Sequence, residues 1–349
     1  MKFHGLLNGH TGAVNAVRWT QDGNYCLSAS EDRTVKLWNP HKLINEASSR
    51  LVSTDEPIHD NFPHIKSYSG AHGYGINDIA IFHDNTRFVT GGKDKTILVW
   101  DVTSGAVVRR IQAHLHTTNA LSLNAASTIL LSASYDKTVR LWDLRSQSRQ
   151  AIQILSDFRD SVTSVCMVDK SILAGCVDGV LRFYDVRMGL LHEDTVGDPI
   201  VWTVPAQNGK SALSLCLAGQ LPDGGLHLTA LGGVSRHPSR DPSLTTTVTT
   251  ASGSGQWLQT FTGGLYKNFK TECCTVAEDR YVAAGAEDGH VRLWDPNIGK
   301  LLYNTAHMQD SFRKVSHRSP VASVSAHPSL PLLLSAAHDG VVSCWAVHK

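Results

Sequence analysis

Long hydrophobic runs are missing from this 349-residue chain: nowhere do 18 apolar residues follow one another, and no apolar segment follows a basic start. Neither a membrane-spanning helix nor a secretory leader is therefore expected. A dominant sign of charge is missing too. Lys and Arg number 32 against 31 Asp and Glu, for a net charge of +1, and no Lys/Arg run is long enough to form a phosphate-binding surface. The seven cysteines are odd in number, Cys273 and Cys274 are adjacent, and no Cys-x-x-Cys spacing occurs, which excludes zinc-type pairing and fits reduced thiols. Also absent are a P-loop, a Gly-x-Gly-x-x-Gly after a strand, a His-Glu-x-x-His and a Gly-x-Ser-x-Gly. These absences lead to the expectation of a soluble intracellular protein that is not an enzyme. No cofactor, no metal, no membrane contact and no direct nucleic-acid contact are expected.

What is present is repetition. SASYDKTVRLWD (Ser132–Asp143) returns as SASEDRTVKLWN (Ser28–Asn39), TGGKDKTILVWD (Thr90–Asp101) and SAAHDGVVSCWA (Ser335–Ala346). AGCVDGVLRFYD (Ala174–Asp185) and AGAEDGHVRLWD (Ala284–Asp295) are weaker copies. Trp100, Trp142 and Tyr184 are spaced by 42 residues. A period of about 40–45 residues closing on Trp-Asp marks one four-stranded propeller blade. The longer gaps, from Trp38 to Trp100, Tyr184 to Trp294 and Trp294 to Trp345, then hold one further blade and three insertions. That blade is placed at Pro222–Leu231, with Asp223 at the loop position and Thr229 in place of Trp. The expectation is an all-β, seven-bladed propeller over residues 1–349, in which an N-terminal strand completes the last blade. Insertions are expected at about 41–67 (between blades 1 and 2), 232–255 (blade 5) and 303–316 (before blade 7).

Upstream of each Trp the spacing is equally strict. His10, Ser28, Asp32 and Trp38 are separated by 18, 4 and 6 residues. The same holds for His72, Thr90, Asp94 and Trp100, for His114, Ser132, Asp136 and Trp142, and for His317, Ser335, Asp339 and Trp345. His, hydroxyl, carboxylate and indole N–H can satisfy one another in a single buried chain of hydrogen bonds. A Ser-His-Asp hydrolase would use the same residue types, but an enzyme has little use for four equal sites. Repeats 4 and 6 keep Asp178 and Asp288. They have Ala174 and Ala284 at the hydroxyl position and Ser156 and Tyr266 at the His position, so a more divergent arc is expected there.

With these repeats and tetrads the chain resembles the WD-repeat (WD40) family, which locks its blades by such tetrads. Within that family the segments DGNYCLSASEDRTVKLWNP (Asp22–Pro40), YSGAHGYGINDIA (Tyr68–Ala80), SGAVVRRIQAH (Ser104–His114), DSVTSVCMVDKSILAGCVDGVLRFYDVRMGLL (Asp160–Leu191) and YKNFKTECC (Tyr266–Cys274) are similar to the mitogen-activated protein kinase organizers. Those are WD-repeat proteins also associated with the spliceosome. The resemblance implies a non-catalytic, monomeric scaffold in cytoplasm and nucleus, with kinase-cascade or spliceosomal proteins as partners.

Two surfaces are candidates for partner binding. The fifth residue after each tetrad His (Asn15, Asn77, Asn119, then Ser161 and Ala322) is expected to face the mouth of the central channel. So is the residue before each tetrad Asp: Glu31, Lys93, Tyr135, Val177, Glu287 and His338. These form either a polar rim with an aromatic anchor for a peptide or merely solvated loop ends. Separately, Arg145 and Arg187 stand two residues after a closing Asp in consecutive repeats. This is similar to the paired motif by which some propellers dock on a ubiquitin-ligase adaptor, and it is equally compatible with surface ion pairs.

Overall fold

The computed structural model describes residues 1–43, 63–168, 170–205, 211–216, 225–230, 257–264, 266–307, 309–310, 313–314 and 317–347. Its strands build seven four-stranded antiparallel sheets and one short hairpin. In chain order and from the channel outward, sheet 1 is Val14–Trp19, Cys26–Ser30, Val35–Trp38 and His64–Tyr68. Sheet 2 is Ile76–Ile81, Arg87–Gly92, Thr96–Asp101 and Val107–Gln112, and sheet 3 is Thr118–Leu123, Ile129–Ser134, Val139–Asp143 and Gln153–Leu155. Sheet 4 is Val162–Val168, Ser171–Cys176, Val180–Asp185 and Gly189–Thr195, and sheet 5 is Ile200–Pro205, Ser211–Cys216, Gly225–Ala230 and Trp257–Phe261. Sheet 6 is Cys273–Val276, Tyr281–Gly285, Val291–Trp294 and Leu301–Asn304. Sheet 7 joins Val321–Ala326, Leu332–Ala337 and Val341–Ala346 to the N-terminal strand Lys2–Asn8.

The expectation of seven repeat blades is corrected to six. Sheets 1, 2, 3, 4, 6 and 7 carry the repeat and have Trp or Tyr as the last or next-to-last residue of the third strand. Sheet 5 stands between sheets 4 and 6 and touches both, but it is not a copy. Its third strand sets Thr229 opposite Ala212 and Trp257, the register at which sheet 3 sets Trp142 opposite Leu130. A Thr there supplies no indole, so the backbone ladder persists without the side-chain lock. Asp223 lies outside the described residues. Residues 64–67, assigned above to the insertion at 41–67, are the outer strand of sheet 1, so that insertion falls inside a blade. Within it residues 44–62, and the whole insertion at 232–255, lie outside the described residues. The segment 303–316 holds the end of the outer strand of sheet 6, a 3₁₀ turn at Thr305–His307 and the hairpin Gln309–Asp310/Arg313–Lys314.

The sequence pattern explains this layering. Middle strands such as Cys26–Ser30 and Leu332–Ala337 are buried along their whole length, because a neighbouring sheet covers each face. Their small Ser, Ala and Gly residues permit that approach. Outer strands such as Val107–Gln112 alternate between half-buried and exposed. The core is accordingly divided among the junctions between sheets. The junction of sheets 1 and 2 packs Leu27, Tyr68, Ile79, Phe88 and Trp100, and that of sheets 4 and 5 includes, among the described residues, Leu173, Leu181, Phe183, Val196 and Ile200. Sheet 7 is closed by Lys2–Asn8, which pairs antiparallel with Val341–Ala346 and places Phe3 edge-on to Trp345 at 5.3 Å. That pairing removes an open sheet edge.

Candidate functional site

In sheets 1, 2, 3 and 7 the tetrads form continuous hydrogen-bonded chains. His10 Nδ1 lies 2.8 Å from Asp32 and Nε2 lies 2.7 Å from Ser28 Oγ, which accepts from Trp38 Nε1 at 2.7 Å. His72, Thr90, Asp94 and Trp100 repeat this at 2.7–2.9 Å, as do His114, Ser132, Asp136 and Trp142. His317, Ser335, Asp339 and Trp345 do so at 2.8–3.2 Å. The four hydroxyl-bearing residues are fully buried, each caught between an imidazole and an indole. A fifth member appears in sheets 1 to 3, where Thr34, Thr96 and Thr138 donate to Asp32, Asp94 and Asp136. Burial alone would raise these carboxylic pKa values. The hydrogen bonds from His10 and Thr34 outweigh it and hold Asp32 well below the usual range, as those from His114 and Thr138 do for Asp136.

Sheets 4 and 6 keep the carboxylate but change its partner. In the register of sheet 4 the His position is Phe158, not Ser156, because Arg159 N–H donates to Asp178 as Leu115 N–H donates to Asp136. With Ala174 at the hydroxyl position, Arg182 takes over. It is 2 % exposed, bonds Asp178 at 2.9 Å and Glu193 at 2.7 Å, and lies 5.1 Å over the Phe158 ring. In sheet 6 Arg292 bonds Asp288, and Trp294 Nε1 donates to Thr262 O instead of to a hydroxyl. The signal was present in the sequence as an Arg four residues after each of these Asp residues.

The expected channel-mouth residues divide into two sets. Asn15, Asn77, Asn119 and Ala322 are the extra residues of β-bulges at the start of the inner strands. Each Asn amide donates to a carbonyl of the next sheet, at Ile76, Thr118 and Val162 respectively, all at 2.8 Å. In sheet 4 the bulged residue is Thr163, not Ser161, and its hydroxyl donates to Ile200 O at 2.7 Å. These amides are staples between sheets, not an open rim for a peptide. The second set faces outward. Lys93 pairs with Glu31 at 2.8 Å, and Tyr135 is 60 % exposed beside His116. Glu287 accepts from the backbone N–H groups of Lys267, Asn268 and Phe269, and His338 meets the Phe269 ring edge-on at 5.4 Å. Burial lowers the pKa of His338.

Below the mouth the channel is bridged by charges that the repeat pattern does not reveal. The Arg18 guanidinium bonds both oxygens of Glu272, at 2.7 and 2.9 Å, and Asp78 at 2.7 Å. Both carboxylates are 1 % exposed. Ser323 Oγ donates to Glu272, and Asp78 accepts from Ile79 N and Leu121 N. Arg18 and Lys270 both lie over the Trp202 ring, at 5.3 and 4.8 Å, and Lys270 donates to Asn119 O. Burial would lower the Arg18 pKa, but the two carboxylates raise it above its ordinary value. This knot ties sheets 1, 2, 3, 5, 6 and 7 together across the axis.

On the opposite face, the closing acids of four repeats, Asp101, Asp143, Asp185 and Asp295, each accept a backbone N–H from the turn that follows. Asp143 accepts from Arg145 at 2.8 Å, Asp185 from Arg187 at 2.7 Å, and Asp295 from Asn297 at 2.8 Å. Both Arg side chains are exposed, Arg145 at the rim of a cleft of about 610 Å³ with Phe82, His83, Arg87 and Leu144. Among the described residues no group of three or more His, Cys, Asp or Glu side chains could hold a metal ion.

A propeller whose blades are locked by His-hydroxyl-Asp-Trp chains defines a WD-repeat protein, and this chain belongs to that family. The family model described as WD domain, G-beta repeat matches residues 1–39, 63–101, 105–143, 255–295 and 310–346. Among individual proteins, the chain is 35% identical to WD repeat domain-containing protein 83 of Homo sapiens, over 96% of this chain and 88% of that protein. It is 34% identical to the Rattus norvegicus protein of the same name, over the same shares. It is 28% identical to the WD repeat domain-containing protein 83 homolog of Dictyostelium discoideum, over 97% of this chain and 96% of that protein.

Proposed function

We propose that this chain is a non-catalytic scaffold that assembles protein complexes, in a kinase cascade or in pre-mRNA splicing, in cytoplasm and nucleus. The observation that carries the reading is the fate of the enzyme-like residues. All four hydroxyl groups beside a His are shut inside a blade between His and Trp, where no substrate atom reaches them. The similarity to WD repeat domain-containing protein 83 over 96% of the chain supports the same reading. Affinity purification of the tagged chain with mass spectrometry tests it. Kinase-cascade or spliceosomal proteins are expected above an untagged control, and recovery of no protein partner overturns the scaffold.

A second reading, substrate receptor of a cullin-type ubiquitin ligase, draws on the matched Asx turns that present Arg145 and Arg187 on one face. Arg145→Glu with Arg187→Glu then loses the ligase adaptor from the purified set. An adaptor that stays bound to the double variant removes this reading.

A further inference from the structure

The turn between second and third strands carries an irregularity that separates two groups of sheets. The residue after each tetrad Asp adopts positive φ: Gly179, Gly289 and Gly340 in sheets 4, 6 and 7, but Arg33, Lys95 and Lys137 in sheets 1, 2 and 3, at 63–68°. Glycine adopts this conformation freely, and a side-chain-bearing residue pays about 1 kcal/mol for it. Three cations are thus held, against backbone preference, at one turn position of three consecutive blades. All three are exposed.

The same arc bears the three most exposed large apolar side chains of this face, Tyr74 at 67 %, Leu115 at 72 % and Tyr135 at 60 %, against 42 % for Phe269. Backbone hydrogen bonds join their loops in series. Lys93 N–H donates to Gly75 O beside Tyr74, Ala113 N–H donates to Lys95 O, and Tyr135 N–H donates to Thr117 O beside Leu115. The amides of Asn15, Asn77 and Asn119 and the Arg18 guanidinium are already bonded within the protein, whereas the side chains of this arc are exposed.

Resting on the scaffold reading, we infer that the face of blades 1 to 3 is the docking surface for an acidic protein segment carrying a large apolar residue. Tyr74, Leu115 and Tyr135 receive the apolar side chain, and Arg33, Lys95 and Lys137 pair with the carboxylates on either side. Charge complementarity selects the acidic class, because Glu31 is already paired with Lys93, and Asp32, Asp94 and Asp136 turn inward to His10, His72 and His114, which leaves the three cations outermost. A nucleic acid fits less well. Leu115, the most exposed apolar member of the arc, gives a phosphate backbone nothing.

Fluorescence anisotropy on the full chain tests this, using labelled synthetic peptides rich in Asp and Glu with one central Leu or Phe. A Lys-rich counterpart, the acidic peptide without its apolar residue, and oligouridylate serve as comparisons. The apolar-acidic peptides should bind most tightly, with affinity falling as salt rises. Leu115→Ser with Tyr135→Ser should weaken binding about tenfold or more, an energy within the range of a buried anchor. Lys95→Gly with Lys137→Gly should weaken binding by a similar factor and flatten the salt dependence without harming the fold, because Gly suits that φ. Met188→Ser, at the far side of the turn after Asp185, should change nothing. Equal or better binding of the Lys-rich peptide or the RNA overturns the inference, as does either double variant remaining within about twofold of the parent. The purified complexes separate the two levels. Partners retained by Lys95→Gly/Lys137→Gly remove this surface but leave the scaffold, and an untouched chain that captures no partner removes the scaffold itself.

Discussion

The tetrad of sheet 3 yields a quantitative prediction for Ser132→Ala. The Asp136 carboxylate can only accept, so His114 Nδ1 carries a proton, and in the neutral ring Nε2 is then an acceptor. Ser132 Oγ–H therefore donates to Nε2 at 2.7 Å while its oxygen accepts from Trp142 Nε1 at 2.9 Å. Removing the hydroxyl orphans one donor and one acceptor together, in a site where Ser132 is 0 % and Trp142 2 % exposed. Each lost partner costs about 1–3 kcal/mol, so the pair should cost roughly 2–6 kcal/mol in total, without allowance for repacking. Ser132→Thr keeps the hydroxyl, and sheet 2 already holds Thr90 in that role, so it should cost under about 1 kcal/mol. Urea unfolding followed by Trp fluorescence gives the overall loss. Hydrogen exchange along Ile129–Ser134 shows whether it begins in sheet 3, which matters because a repeat array need not unfold in one step. An Ala variant within about 0.5 kcal/mol of the parent, or a Thr variant as damaged as the Ala variant, would refute the chain of donors and acceptors described.

Three further outcomes are expected. Arg18→Met leaves Asp78 and Glu272 buried without their cation and should destabilise the ring by about 3–5 kcal/mol in a denaturation midpoint, with partial recovery in Arg18→Met/Glu272→Gln; a neutral single variant would contradict the knot. Lys137→Gly should raise stability by about 1 kcal/mol and Gly179→Ala should lower it by a similar amount, and thermal melting with both signs reversed would refute the turn argument. Acid should unlock sheets 1, 2, 3 and 7. The folded pKa values of Asp32, Asp94, Asp136 and Asp339 lie below the ordinary carboxylate value, so their contribution is complete above about pH 4 and is lost as pH falls below it. A urea midpoint measured downward from neutral pH should drop below about pH 4 and less steeply in Asp136→Asn; equal slopes would sink the assignment.

Some of this architecture was legible in the sequence because strands and tight turns have fixed lengths. The spacing of 18, 4 and 6 residues holds wherever the hairpin between the inner and second strands is constant in length, and the structure brings all four such sets together. In sheet 4 that hairpin is shorter by two residues, so the count slips: Phe158 and Thr163 occupy the positions that the spacing gives to Ser156 and Ser161. The repeat count fails similarly at sheet 5, since a backbone ladder needs no particular side chain and Thr229 leaves nothing to distinguish a blade from any other sheet. Asn15, Asn77 and Asn119 were placed at the right end of the channel. Their amides bond the neighbouring sheet, which period alone does not reveal. Arg18 was invisible for another reason. Asp78 lies 60 residues away in the adjacent sheet, and Glu272, 254 residues away, comes within reach only when the ring closes.

The strand Lys2–Asn8 has a consequence for the order of events. Six of the seven four-stranded sheets are built from neighbouring stretches of chain, which meet through short loops or a single insertion. Sheet 7 alone must bring together strands more than 300 residues apart, at Leu7 and Val342 for example. That search is the entropically costliest in the molecule, and it comes with the longest separation in sequence of any strand pair. Without that closure the Arg18 guanidinium has Asp78 of the adjacent sheet within reach but stands apart from Glu272, at the other end of the row of sheets. Completion of the ring and neutralisation of its axis are therefore one kinetic step, and the chain acquires its working faces only when both ends have found each other.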